Sequence, residues 1–248
     1  MSILFGAFPF VIQALHITVY VLLMSAVLGI LLGILYTLGK LSKNKVVNGI
    51  SSVLVSFFRG VPMPALLFLI FFGVPEIVSI FGVNANRWSA EVFAIISFTL
   101  NSSAFFEEIF RSAYLSIEKG QIEAGQSIGM TRIQVFRRII LPQAAVSALP
   151  NLSNMIIELL KNTALAFSVG VVDMMGKADQ YSAANYGIGQ AWIYLATGLI
   201  YWVLTIIIDY VFKLINKRID KGRRPIQGNT NTKGRYKLGK GTVVAVER

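Results

Sequence analysis

The 248-residue chain is 55% hydrophobic and only 14% charged, with seventeen Phe, whereas soluble domains carry about a quarter charged residues; an ordinary soluble globular protein is excluded, and an integral membrane protein is indicated. It has no cysteine and a single histidine, His16, which excludes disulfides and thiolate metal sites and leaves little for histidine-based catalysis or metal binding. The net charge is +11, but residues 213–248 hold eleven Lys/Arg against Asp220 and Glu247, so the basic character belongs to a tail that reads as a cytoplasmic anchor rather than a nucleic-acid-binding segment.

A hydrocarbon core of about 30 Å needs roughly 20 apolar residues as a helix, and five segments reach or approach that length. The first, 10–38, lacks a positive leading region and a small-residue cleavage site, so it is predicted to be a retained helix and not a signal peptide. Gly29 and Gly33 form a GxxxG pair there, a packing pattern, and His16 reads as an interfacial or packed histidine. The second span is predicted over 53–73 and carries Arg59 near its start. The third, 91–110, has Asn101, Ser102 and Ser103 near its middle and Glu107, Glu108 and Arg111 at its end.

The fourth segment begins near Ala144. Pro142 and Pro150 are expected to interrupt its start, Glu158 and Lys161 lie inside it three residues apart, and the apolar run 163–172 is only half a span long. Irregular backbone at membrane depth is tolerated only where protein or a water-filled cavity covers it, so a broken helix with a re-entrant continuation beside a translocation pathway is expected. The fifth span is predicted over 192–215, and residues 226–248 read as a polar, Gly/Lys-rich disordered tail behind a membrane domain of residues 1–225.

Loop charges give an orientation. The 39–52 loop has Lys40, Lys43 and Lys45 with no acid, and the 111–143 loop has Arg111, Lys119, Arg132, Arg137 and Arg138. The loops at 74–91 and 173–191 have only Arg87 and Lys177, each outnumbered by acids. The positive-inside rule places the N-terminus outside and the tail inside.

Between the third and fourth spans the stretch Glu123-Ala-Gly-Gln-Ser-Ile-Gly-Met-Thr-Arg-Ile-Gln-Val-Phe-Arg-Arg-Ile-Ile-Leu-Pro-Gln-Ala144 reads as a short amphipathic helix, part of a loop of about 118–142. A chain does not need such an element to sit in a bilayer, and docking of another protein is the reading it supports. Gly125 and Gly129 are expected to keep one face low for a partner's groove, Glu123 to accept hydrogen bonds from backbone or basic partners, and Pro142 to reset the direction into the next span.

This element resembles the cytoplasmic signature of the permease subunits of ATP-binding-cassette importers: Glu-Ala-Ala, three residues, Gly, nine residues, then Ile-x-Leu-Pro. Here Glu123-Ala124-Gly125 is followed at those spacings by Gly129 and by Ile139-Ile140-Leu141-Pro142, with Gly125 in place of the second Ala. Residues 57–75, 104–125 and 149–171 are similar to the polar amino acid permeases, and the stretches starting at Asn162 and Asn185 resemble cystine-type permeases more than those for basic amino acids. The resemblance covers about 10–220.

It implies an all-α polytopic fold of about five transmembrane helices, the type I importer permease fold, in a bacterial cell membrane. It further implies a subunit that works in pairs with an identical or related permease, that docks a cytosolic ATPase through Glu123, Ala124, Gly125, Gly129, Arg132, Leu141 and Pro142, and that receives an amino acid from an extracellular binding protein. ATP and Mg would sit on the partner ATPase, leaving this chain without cofactor, metal or catalytic residues.

Charges at membrane depth are costly and face a bundle interior. Arg59, Asn101, Ser102, Glu107, Glu158 and Lys161 are therefore candidates for a pathway that meets the amino and carboxylate groups of a zwitterion. The alternative for the same residues is structural: Arg59 pairing with Glu107 or Glu108, Glu158 with Lys161, and Asn101 and Ser102 joining helices.

Other function classes lack support. Gly234 to Lys240 has P-loop spacing, but Gly241 replaces the Ser/Thr and no strand–helix context surrounds it. A self-contained ion-coupled carrier or channel predicts inverted repeats, and the chain has one interrupted span and no internal duplication. An intramembrane enzyme needs a catalytic constellation, and none is recognisable.

Overall fold

The structure, a computed structural model, describes residues 2–220. In chain order the helices are α1 (Ser2–Ile12), α2 (Leu15–Lys40), α3 (Lys45–Gly60), α4 (Met63–Ser79), α5 (Ala90–Leu115), α6 (Lys119–Ser127), α7 (Arg132–Val135), α8 (Leu141–Thr163), α9 (Met174–Ala184) and α10 (Gln190–Asp220). A five-residue π turn, Phe136–Ile140, joins α7 to α8, and 3-10 turns occupy Ala85–Arg87 and Ala164–Val169. No strand occurs among the described residues. The tail read as disordered over 226–248 lies outside them.

Three described helices, α2, α5 and α10, are long and apolar enough to cross a membrane, and the number rises to five if each of two bent helix pairs is one span. The centre is the pairing of α2 with α5. They approach closely because α2 offers glycines: a Cβ at Gly33 would lie 2.7 Å from Phe106 Cβ and 3.0 Å from the Ser103 carbonyl oxygen. Around this pair the core gathers Val21, Leu22 and Ala26 of α2, Leu67 of α4, Ala94, Ile95 and Phe98 of α5, and Leu159 and Leu160 of α8. A second cluster joins Ala7 and Val11 of α1 to Met174 and Ala178 of α9 and Ile193 and Ala196 of α10. Outward faces stay apolar, as Leu31 and Leu35 on α2 and Trp202, Ile206 and Tyr210 on α10 show, the pattern expected where the surroundings are hydrocarbon.

Three expectations about the spans need correction. The first does not run unbroken from residue 10: α1 ends at Ile12 and α2 begins at Leu15. The second, predicted over 53–73, crosses an elbow. α3 and α4 meet at 110° over Val61 and Pro62. Val61, held extended before a proline (φ −80°, ψ 127°), cannot continue the helix. Hydropathy alone reads straight through this bend.

The fourth span is not interrupted at its start. Pro142 lies in the first turn of α8 and Pro150 inside it, and the helical path continues to Thr163. At its first turn a helix does not need the proline N–H, and the wide π turn just before Pro142 gives the ring room. Pro142 therefore does not redirect the chain. The break comes later, after the 3-10 turn, where Gly170 takes φ +91° and α9 departs at 48°. Asp173 starts α9 by accepting a hydrogen bond from the Gly176 N–H at 2.9 Å.

Candidate functional site

Five charged side chains converge where α2, α3 and α5 meet. Glu107, fully buried, lies 3.3 Å from Lys40 Nζ through one oxygen and 3.2 Å from Arg111 Nε through the other. Glu108, one position on, is 3.0 Å from Arg59 Nη1 and 2.5 Å from Arg111 Nη2. Arg111 can serve both because it follows them at i+4 and i+3 on the same helix. The Arg59 guanidinium also lies over the Phe105 ring, 5.5 Å from its centre. Of the two partners expected for Arg59, it takes Glu108, and Glu107 is held by Lys40 and Arg111.

Beside this cluster an open cleft of about 700 Å³ runs between the α3–α4 elbow, α5 and α8. α5 contributes Asn101, Phe105, Glu108 and Ser112, a single helical face at i, i+4, i+7 and i+11. α8 contributes Asn151, Asn154, Met155, Glu158 and Asn162, and the elbow adds Arg59, Val61, Pro62 and Met63. The wall is thus rich in amides and carries one more carboxylate than guanidinium. One guanidinium, two carboxylates and four asparagines offer a small zwitterion both donors and acceptors.

Of the residues singled out from sequence, Arg59, Asn101 and Glu158 line the cleft. Asn101 also donates from Nδ2 to the Phe58 carbonyl oxygen at 3.0 Å, which ties α5 to the elbow. Ser102 lies elsewhere: it is fully buried, bonds the Thr99 carbonyl oxygen at 3.3 Å, and packs where α2 passes at Gly29. Glu107 is sealed inside the ion cluster. Lys161 is not among the residues that line the cleft and lies 3.9 Å from Glu158 in a pair exposed on both sides. The asparagines 151, 154 and 162 went unremarked in the sequence, although their spacing with Glu158 marks one face of a helix.

The segment read from sequence as a docking helix is a helix–turn–helix, not the single helix expected over 123–144. α6 ends in a turn in which the Gly129 N–H bonds the Gln126 carbonyl oxygen at 2.9 Å and the Met130 N–H bonds that of Gly125 at 3.1 Å. This is a Schellman closure, and its left-handed residue is Gly129, φ +82°. Thr131 then starts α7 with a capping box to Gln134, with bonds of 3.3 and 2.8 Å.

The two glycines do not form a low outer face. Gly125 is buried by its own chain, and a Cβ there would meet Ile139 Cδ1 at 2.8 Å; Gly129 is needed for the turn. What the hairpin exposes is apolar: Ile128 (79%), Ile133 (71%), Phe136 and Leu141. Glu123, Arg132, Arg137 and Arg138 stand exposed around them. Large apolar side chains exposed beside charged ones are the composition of a protein-binding surface. Among the described residues no three His, Asp or Glu side chains gather as a metal-holding group.

Residues 25–221 match the family model described as "Binding-protein-dependent transport system inner membrane component". The chain is 36% identical to the L-cystine transport system permease protein TcyL of Bacillus subtilis, over 88% of this chain and 90% of that one. It is 39% identical to the probable amino-acid permease protein YxeN of the same organism, over 88% and 95%. Among solved structures it resembles a chain of an amino acid ABC transporter crystallised with histidines, at 30% identity and a TM-score of 0.74, covering 85% of this chain and 94% of that one.

Proposed function

The chain belongs to the family of binding-protein-dependent transport system inner membrane components, and on that premise we propose that it is the membrane permease subunit of an ATP-driven amino acid importer in a bacterial cell membrane. The exposed apolar hairpin of α6 and α7 carries the reading. It holds Glu123 and Gly129, and the start of α8 holds Leu141 and Pro142, at the family's docking spacing.

A cytosolic ATPase seats on this hairpin, with Ile128, Ile133 and Phe136 entering its groove and Arg132 at the rim. ATP and Mg are bound and used there. Chemistry on this chain is limited to holding and releasing the solute. The distribution of Lys and Arg among the loops supports an N-terminus outside and a C-terminus inside.

The open cleft faces a second permease, identical or related, and the two copies enclose the pathway that an extracellular binding protein feeds. Arg59, Asn101 and Glu158, with the α8 asparagines, meet the ammonium and carboxylate of the amino acid. The likeness to TcyL, with the 162–171 and 185–194 stretches, favours L-cystine or a related sulfur amino acid as the solute.

Co-purification in mild detergent tests the assignment. The tagged chain should bring down an ATPase identified by mass, and a bulky charged residue at 129 should release it. A chain that transports when reconstituted alone would overturn the assignment.

A further inference from the structure

A second, open cavity of about 380 Å³ adjoins the cleft and shares only Arg59 and Phe105 with it. Its polar wall is Lys40, Arg59, Ser52 and Ser56, and its apolar wall is Val55 and Phe105. The ion cluster beside it holds three cations, Lys40, Arg59 and Arg111, against two carboxylates, Glu107 and Glu108. One positive charge is left over.

Both cations on the cavity wall keep free donors. Lys40 directs one contact to Glu107, and Arg59 reaches Glu108 through Nη1 alone, whereas an ammonium has three N–H groups and a guanidinium five. Ser52 and Ser56 stand one turn apart on α3 and add two hydroxyls. Next to this polar pocket α3 exposes Ile50, Val53 and Phe57. The combination is a site for one negative charge set against an apolar flank. An uncompensated cation at the edge of hydrocarbon is costly, and a single phosphodiester charge offsets the excess.

We propose that this cavity binds a mono-anionic phosphate: Lys40 and Arg59 supply the charge, Ser52 and Ser56 supply hydrogen bonds, and the group is the headgroup of a phospholipid whose acyl chains lie along Ile50, Val53 and Phe57. Free phosphate shares the headgroup chemistry but not the apolar flank. Because Arg59 lines both cavities, a bound phosphate competes with Glu108 for the guanidinium and changes the charge presented to the cleft. The site does not depend on which solute the chain moves.

The test is native mass spectrometry of the assembled transporter, titrated with phosphatidylglycerol and, separately, with inorganic phosphate. The double variant Ser52→Ala, Ser56→Ala removes two donors and no ion pair, and Ser56→Leu fills the cavity. Phosphatidylglycerol retained by the native complex and held about tenfold more weakly by the double variant, with inorganic phosphate unable to displace it, is the expected result. Lipid displaced by inorganic phosphate, with phosphate binding weakened in the same variants, supports the phosphate site and assigns free phosphate as occupant. Native-like retention in the double variant, or no phosphate-bearing species bound, overturns the site. If Ser56→Leu fails to fold, the double variant decides.

Discussion

Asn101 Nδ2 donates to the carbonyl oxygen of Phe58 across 3.0 Å, and the reason lies four residues past Phe58. In a continuing helix that carbonyl would accept from the N–H of residue 62, which here is Pro62 and has none. The amide of α5 takes the missing donor's place at the elbow. Asn101→Leu leaves a shielded carbonyl unpaired and should cost about 1–3 kcal/mol, read as a lowered midpoint of thermal unfolding in detergent. An unchanged midpoint would show that water serves the carbonyl equally well.

Glu107 and Glu108 are neighbours in the same ion cluster, and their replacement should differ. Glu107 has no exposed side-chain surface while Glu108 is 36% exposed. Glu107→Ala strands Lys40 and Arg111 around an empty site and should destabilise by about 3–5 kcal/mol. Glu108→Gln should cost about 1 kcal/mol or less, because solvent screens it. Folded yield and unfolding midpoints compare the two, and equal effects would contradict the burial argument.

Gly33 is a steric requirement. Gly33→Ala places a methyl against Phe106 and the Ser103 backbone and should cost about 1–3 kcal/mol. Gly49 of α3 is the control: a Cβ there meets nothing within 4 Å, so Gly49→Ala should stabilise the helix by about 0.5–1 kcal/mol. Opposite shifts in unfolding midpoint are expected.

Gly129 is a conformational requirement. Gly129→Lys places a side chain at φ +82°, costing about 1–2 kcal/mol in the turn, and adds charge beside Ile128. The membrane helices should keep their far-ultraviolet dichroism while the co-purified ATPase is lost. Retention of the ATPase at native stoichiometry would remove the hairpin from the docking role.

Features tied to fixed spacing were legible in the sequence, and those tied to direction were not. Glu123, Gly129 and Pro142 mark the segment by spacing, though not its fold as a hairpin, and Gly29 and Gly33 announce a close helix packing, which proves to be that of α2 on α5. The elbow was missed because residues 53–73 are apolar on both sides of Pro62, and hydropathy carries no angle. Pro142 and Pro150 misled in the other direction: a proline breaks a helix only where its N–H is needed and its ring is crowded, and a π turn with a helix start removes both conditions at Pro142. In the cleft, attention to charge selected Glu107 and Lys161, which do not line it, and passed over Asn151, Asn154 and Asn162.

The ion cluster also bears on how the chain enters the bilayer. α5 carries Glu107, Glu108 and Arg111 within its last three turns, and charges there oppose insertion of an isolated helix, each by less than the cost of about 3 kcal/mol at the bilayer centre. Two of the neutralising groups, Lys40 and Arg59, come from segments made earlier in the chain. α2 and α3, already in place, therefore lower the cost of inserting the end of α5. Biogenesis then has a direction favoured by electrostatics, and loss of Lys40 is expected to lower the fraction of chains in which α5 integrates.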